Sequence, residues 1–440
     1  MKAVTERFPF SQKVNPSRID WLFFAFCVEL IFLPFQLGRH FWPSFAFVLG
    51  ERIDYLSPTF YISDIPIIIG FFILAIKKQI HIASTFMLVV AYLSLSAFFS
   101  QSPLNGWYGL LKFLELSLFI LWVSRMTYKT NIVPYLFVSG ILLESIISFL
   151  QYNLQRSMGG LLWFFGERTF SSSTPGIANA SINGTLILRP YGTFPHPNAL
   201  AGFLVIAMIY VGSLLYEHNG RYGKMLILVT LAIGTTALLL TLSRIAIIIW
   251  CLVVVGAIMN KIAKSKKKRL MILVIGSLFF LIITFFPHIA GRFGGINLQD
   301  EAVVQRVVLI QDSLAIIGKN PLFGVGLNSF LPELPTYEYS LHSPLLIQPV
   351  HNMYLLVFAE LGLVGLVLFL WLMGASLLKT YKHFKKVRNS TEKSIVVATI
   401  LSLISISVLG FFDHYFLTLQ QGQLLFAFVI GMCWRKSMLQ

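Results

Sequence analysis

Charge is scarce in this chain. Of its 440 residues only 12% are Asp, Glu, Lys or Arg, while 56% are hydrophobic and the mean hydropathy is +0.77. Soluble domains carry about 25% charge, so a soluble globular fold is excluded. Acids are rarer than bases: 18 Asp and Glu face 34 Lys and Arg, a formal charge of +16. Cysteine is nearly missing, and Cys27, Cys251 and Cys433 fall inside or at the edge of apolar runs. No disulfide framework is expected of them, only inert thiols. Also missing are a paired-carboxylate arrangement, Asp-x-Asp, His-x-x-x-His and Cys-x-x-Cys spacings, which disfavours metal-dependent chemistry and leaves no cofactor to expect. No internal repeat of the kind found in many secondary transporters is visible.

What the chain has in quantity is apolar sequence, in stretches of the ~20-residue length that spans a hydrocarbon core. In lipid such a stretch must be helical to satisfy its own backbone. The expected spans are 21–37, 59–76, 81–99, 106–124, 132–150, 198–216, 225–242, 245–260, 269–287, 351–378, 394–412 and 417–434. The fold class is therefore all-α and polytopic, a single integral membrane domain over residues 1–440 with about twelve crossings. The first run, Trp21 to Leu37, has no small-residue cleavage site and reads as a retained helix.

The basic residues sort by loop. With a cytoplasmic N-terminus, one face collects the N-terminal bases, Lys77 and Lys78, the cluster Lys261 to Arg269, the cluster Lys379 to Lys393, and Arg435 with Lys436. This bias sets both termini inside a plasma membrane. The positive charge then reflects topology and attraction to anionic membrane lipids, and a nucleic-acid partner loses its support. Two segments on the opposite face, 151–197 and 288–350, are too long to be connectors and are expected to carry function. The first holds a flexible polar stretch, Ser171 to Gly176. In the second, Glu301 to Ile317 has the apolar spacing of a short amphipathic helix, ended by Gly318-Lys-Asn-Pro321.

The outer face offers isolated arginines and histidines in Gly-, Pro- or Asn-rich surroundings: Arg189, Arg244, Arg306 and His351. Arg244 sits in Thr241-Leu-Ser-Arg244 between two apolar runs, where a charge is costly and usually functional. The alternative is snorkelling to headgroups. A guanidinium suits a diphosphate, since its fork donates to two oxygens and stays charged. His351 opens a long apolar helix beside Asn352, and an imidazole can take a hydroxyl proton near neutral pH. The alternative reading is a capping or interfacial histidine. His196 lies in Pro195-His-Pro-Asn198, a rigid turn in which Asn198 is expected to cap the sixth span. The turn Gly324-Val-Gly326 lacks the strand and helix context of a phosphate loop and reads as a chain reversal. Lys112 and Glu115 are expected to pair on one helix. Glu29, Glu144 and Glu360 show no local partner, and Asp413-His414 is a further candidate to orient His351.

Taken in order, Arg189 with Gly192-Thr-Phe-Pro-His-Pro-Asn198-Ala-Leu-Ala, Thr241-Leu-Ser-Arg244, Arg306 with Pro321-Leu-Phe-Gly-Val-Gly326, and His351-Asn352-Met-Tyr354 before Glu360-Leu-Gly362-Leu-Val-Gly365 resemble the O-antigen ligase family. The resemblance covers roughly residues 185–370. It implies a membrane glycosyltransferase with a GT-C type fold, acting at the periplasmic face of the cell inner membrane in lipopolysaccharide biosynthesis. The implied donor is a glycan on undecaprenyl diphosphate and the implied acceptor a sugar hydroxyl of lipid A-core. By similarity, Arg189, Arg244 and His351 would be catalytic. Arg306, Asn352, His196, Asn198 and Tyr354 would bind substrate, with no metal. Polysaccharide polymerases and protein O-oligosaccharyltransferases share these motifs and remain alternatives. A secondary transporter of an anionic solute, using the intramembrane Glu residues as proton sites, is the competing class.

Overall fold

The computed structural model describes residues 20–80, 83–126, 132–182, 185–216, 220–262, 301–337 and 347–435. Helices dominate them: α1 (Trp21–Phe32), α2 (Asp64–Ile76), α3 (Ser84–Phe98), α4 (Pro103–Arg125), α5 (Val133–Leu154), α6 (Pro197–Ser213), α7 (Arg221–Leu240), α8 (Arg244–Ile262), α9 (Glu301–Lys319), α10 (Met353–Lys386), α11 (Ser390–Leu409) and α12 (Gln420–Cys433). Five of them, α4, α5, α7, α10 and α11, are long and apolar enough to cross a membrane, and six others are shorter apolar helices. Each of these eleven falls on an expected span, and the bundle is that of an integral membrane protein. The expected span 269–287 lies outside the described residues, as do 288–300 and 338–346 of the outer segment 288–350.

Proline and asparagine set several helix starts. Pro103, Pro134 and Pro197 occupy the first turns of α4, α5 and α6, where their missing N–H costs nothing. Asn352 caps α10 by accepting from the amides of Tyr354 and Leu355 at 2.9 and 3.0 Å. At α6 the structure differs from expectation. The capping side chain is His196, whose Nδ1 accepts from the Asn198 amide at 3.1 Å, while Asn198 is released for other bonds.

Helix α6 is apolar on every side and almost wholly buried, the mark of a central helix. It packs against α5, α7, α8, α11 and α12, so the bundle is organised around it. The chain entering α6 is therefore fixed by the core, and that chain carries Arg189 and His196.

The expectation of an all-helical chain needs amendment outside the bundle. Among the described residues, three antiparallel two-stranded sheets occur: β1 (Gly38–His40) with β4 (Thr59–Tyr61), β2 (Phe47–Val48) with β3 (Glu51–Arg52), and β5 (Asn179–Ile182) with β6 (Thr185–Leu188). The second span accordingly starts at Asp64, because Thr59, Phe60 and Tyr61 pair as a strand and the Asp64 carboxylate accepts from the Tyr61 amide at 2.8 Å. The polar stretch at 171–176 is a closed turn, with the Ser171 amide donating to Thr174 Oγ1 at 3.0 Å.

Helix α10 breaks at Gly362, whose φ of 60° and ψ of −167° are open to glycine alone. The carbonyls of Ala359 and Glu360, released by the break, accept from Val325 and Gly326 at 3.0 and 2.9 Å. The Gly324-Val-Gly326 turn is thus spent satisfying a broken helix, a device that spanning helices need where water is scarce.

Candidate active site

The arm from Arg189 to His196 is held from below by α5. Gln151 Oε1 accepts from the amides of Tyr191 and Gly192, both at 2.8 Å, and its Nε2 donates to the Gly192 carbonyl at 2.9 Å. Seven residues earlier, Glu144 accepts from the Thr193 amide at 2.9 Å and hydroxyl at 2.7 Å. Both acceptor side chains are fully buried. Gly192 is required here: its φ is +61°, and a Cβ would meet the Glu144 carboxylate at 2.1 Å. The arm has one seat.

That seat aims Arg189, which is 7% exposed, at two partners. Its Nε donates to the Thr241 carbonyl at 2.7 Å and its Nη2 to Asn198 Oδ1 at 2.6 Å. Thr241 opens the sharp reversal between α7 and α8, in which Leu242 takes a φ of 53° and the Ser243 amide donates to Thr241 Oγ1 at 3.3 Å. Arg189 is therefore tied to the turn whose last residue, half-buried Arg244, starts α8.

Asn198 passes the connection on. Its Nδ2 donates to Asp413 Oδ2 at 2.8 Å, and Asp413 Oδ1 accepts from the His414 amide at 2.9 Å. The His414 ring lies 5.2 Å from the His351 ring, edge to face. One side-chain ligand atom from each of His351, Asp413 and His414 lies within 4.8 Å of the others. His351 is fixed by its neighbour: Met353 donates to the Gly410 carbonyl at 2.8 Å and Asn352 Nδ2 to the Phe411 carbonyl at 3.2 Å. His351 Nδ1 is buried without a hydrogen-bond partner among the described residues.

Burial and charge set the protonation of this cluster. Burial drives the His196 and His414 imidazoles down to about 3, outweighing the Asp413 carboxylate, which raises both. The His351 imidazole is lowered too, first by burial and then by the Arg306 cation, with Asp413 opposing. Burial works to raise Asp413, but His351, His414, His196 and Arg306 together hold it below the usual carboxylate range. The cluster is a carboxylate among neutral imidazoles. His351 can accept a proton, and Arg306 supplies positive potential from α9.

The expected residues do not all meet. Arg189, Asn198 and His351 join through Asp413, His196 flanks them against Tyr191 with ring centroids 6.2 Å apart, and Arg306 reaches them electrostatically. Tyr354 turns away, donating to the Ser407 carbonyl at 2.8 Å and lying 4.3 Å from the Phe411 ring. Asn352 is spent on its cap. His351, Asp413 and His414 form a grouping of the kind that holds zinc, although Arg306 places a like charge beside it. Sequence reading singled out Glu144 but not its partner Thr193, and missed Gln151. The signal was available: Glu144, Ser148 and Gln151, all at 0% exposure, stand at i, i+4 and i+7 on an apolar helix. A polar stripe in a spanning helix faces the bundle interior.

Residues 226–370, from α7 into α10, match the family model described as O-Antigen ligase. The family's members are glycosyltransferase-like enzymes. No curated protein matches the chain.

Proposed function

We propose, with the O-antigen ligase domain at 226–370 as the premise, that the chain transfers a glycan from undecaprenyl diphosphate to a sugar hydroxyl of lipid A-core. The site faces the periplasm in a twelve-span inner-membrane protein of GT-C type. The observation that carries this reading is the hydrogen-bonded line from Arg189 through Asn198 to Asp413, which brings a cation and the His351 base into one buried cluster. The Arg189 guanidinium, held by Thr241 and Asn198, keeps a fixed positive charge beside the cluster, where a diphosphate would be drawn. Arg244 shares the clamp, and Arg306 adds charge.

In the transfer, the acceptor oxygen attacks the anomeric carbon as its proton passes to His351. The bond from that carbon to the diphosphate oxygen breaks with its electron pair, inverting the centre. Negative charge grows on the departing diphosphate, where fixed cations stabilise it without reorganising. Asp413 is a positioning residue, holding His351 through the cluster and Arg189 through Asn198. The donor's lipid lies along the apolar bundle, and no metal enters the reaction.

The test is reconstitution. Purified protein in liposomes with undecaprenyl-diphosphate glycan and lipid A-core should yield extended lipid A-core and free undecaprenyl diphosphate, unchanged by EDTA. Donor consumed only by joining to more donor would make the chain a polymerase, and donor consumed only with a peptide acceptor would make it a protein glycosyltransferase. Intact donor, or inhibition by EDTA that zinc reverses, would overturn the proposal.

A further inference from the structure

The segment between α5 and the Arg189 arm carries a feature with no part in the transfer. Residues Met158-Gly-Gly-Leu-Leu-Trp-Phe-Phe-Gly166 form a finger without a single charge or side-chain hydrogen-bonding group other than the indole N–H. Its tip is a tight helical turn, Gly160–Phe165. Leu161 is 78% exposed, Phe164 59% and Trp163 57%, and Met158 and Phe165 are also open. Outside a spanning helix, so much contiguous apolar surface needs a cover.

The base of the finger is firmly built. Glu167, itself buried, accepts from the amides of Met158 and Gly159, each at 2.7 Å, and from Gln151 Nε2 at 2.8 Å. Gly166 has a φ of +93°, and a Cβ there would strike the Gln36 backbone at 2.6 Å. The Phe165 carbonyl accepts from the Gln36 amide at 3.3 Å, and the Phe165 and Phe35 rings lie 5.0 Å apart. The finger is thus pinned where α1 and α5 end, at the level where the apolar bundle meets water. Two exposed arginines bracket it, Arg156 and Arg168, the latter 3.3 Å from the equally open Asp54 carboxylate.

We infer that this finger seats in the lipid of the leaflet at which α1 and α5 terminate, with Trp163, Phe164 and Leu161 at the boundary of headgroups and acyl chains and the two arginines at phosphate level. The lipid is favoured over a protein partner by continuity: the exposed stripe Ile146, Leu150, Leu154 on α5 leads along the membrane-facing helix to the loop. The composition agrees, because Trp and Phe with flanking Arg is what interfacial anchors use. Gln151 bonds Glu167 at the finger base and Tyr191 and Gly192 in the arm, so the anchor fixes the height of Arg189 relative to lipid phosphates.

The test uses the full chain in nanodiscs of phosphatidylethanolamine and phosphatidylglycerol, in a background with the three native cysteines replaced. Spin labels are placed at Phe164→Cys and, as an aqueous reference, at exposed Ser173→Cys. Collision with oxygen and with a water-soluble nickel chelate is then measured. The label at 164 should favour oxygen over the chelate severalfold more than the label at 173. Equal chelate access at both positions would overturn the inference. So would a label at 164 immobilised and shielded from both agents, since protein would then cover it. No glycan is involved, so the result stands apart from the fate of the transfer proposal.

Discussion

Two of the polar clusters among the described residues of this apolar bundle are built on opposite rules. At the arm, Arg189, Asn198 and Asp413 share hydrogen bonds of 2.6 to 2.8 Å, and one nitrogen of the His351 imidazole has no hydrogen-bond partner among the described residues. Deeper along α4, Lys112 sits between two carboxylates, 2.7 Å from Glu115 and 3.7 Å from Asp64, while Gln420 Nε2 donates to Asp64 Oδ1 at 2.9 Å. The first cluster gathers three segments: the arm running into the α6 start, the α10 start and the turn after α11. The second joins α2, α4 and α12 where they already pack. A cluster assembled from loops on a rigid frame is what a reaction requires. A cluster between packed helices holds the frame together. Substitutions should separate the two by what fails, turnover or folding.

The largest effect is expected at Arg189. Arg189→Ala should lower transfer about 10³-fold, as when a preorganised donor is removed from a developing anion. Arg189→Lys should fare little better, because an ammonium cannot reach Thr241 and Asn198 together and still face a diphosphate. Thermal unfolding in detergent should change little. A variant that unfolds as readily as it loses activity would move Arg189 into the structural class.

Lys112→Met should show the reverse pattern. It strands Asp64 and Glu115 in a buried site, at a cost of about 3 kcal/mol. The melting temperature should drop, and adding Glu115→Gln should recover part of the loss. If turnover per folded molecule falls along with stability, the two clusters are not separate.

These contrasts bear on what the chain disclosed before its fold was known. Arg189, Arg244 and His351 stood out because an isolated charge or imidazole beside glycine and proline is conspicuous in apolar sequence. The apolar helices among the described residues were legible for the same reason, as was the pairing of Lys112 with Glu115. The hairpins at 38–61 were not, since strands of two or three residues have no period to detect. Nor was the break at Gly362, because Glu-Leu-Gly-Leu-Val-Gly also suits a packed helix, and only the approach of Leu322 requires the bend. Asn198 was found for the wrong reason: it looked like a cap, while His196 caps and Asn198 bridges Arg189 to Asp413.

Protonation gives a smaller and more specific test. A depressed His351 leaves the base unprotonated to below pH 6.5, so the acid limb of kcat/KM should fall below that value. Asp413 raises the His351 imidazole and Arg306 lowers it. Asp413→Asn should therefore move the limb to lower pH and Arg306→Gln to higher pH. Shifts of the same sign would remove His351 as the titrating base. Stability follows its own curve. The unfolded chain binds protons at His196 and His414 near pH 6.5, whereas the folded chain refuses them until about 3. Between those values the unfolded state holds more protons, so stability is full above pH 6.5 and declines as pH falls.

The smallest effect is expected at Glu29, which tests whether the deeper cluster has chemistry of its own. Glu29 is fully buried in α1, neither of its oxygens has a hydrogen-bond partner among the described residues, and it feels the charges of Asp64, Glu115 and Lys112. A second carboxylate in excess of the single lysine is costly to keep ionised in such surroundings. If the cluster only joins helices, Glu29→Gln keeps the shape, removes a group that contributes no bond, and leaves both melting temperature and transfer within about twofold in the relevant constant. If instead it carried protons for transport, as the competing reading requires, Glu29→Gln would abolish proton-coupled uptake in vesicles. That outcome would reverse the roles assigned to the two clusters, because the working residues would lie in the packed interior and the loops above would serve only as its cover.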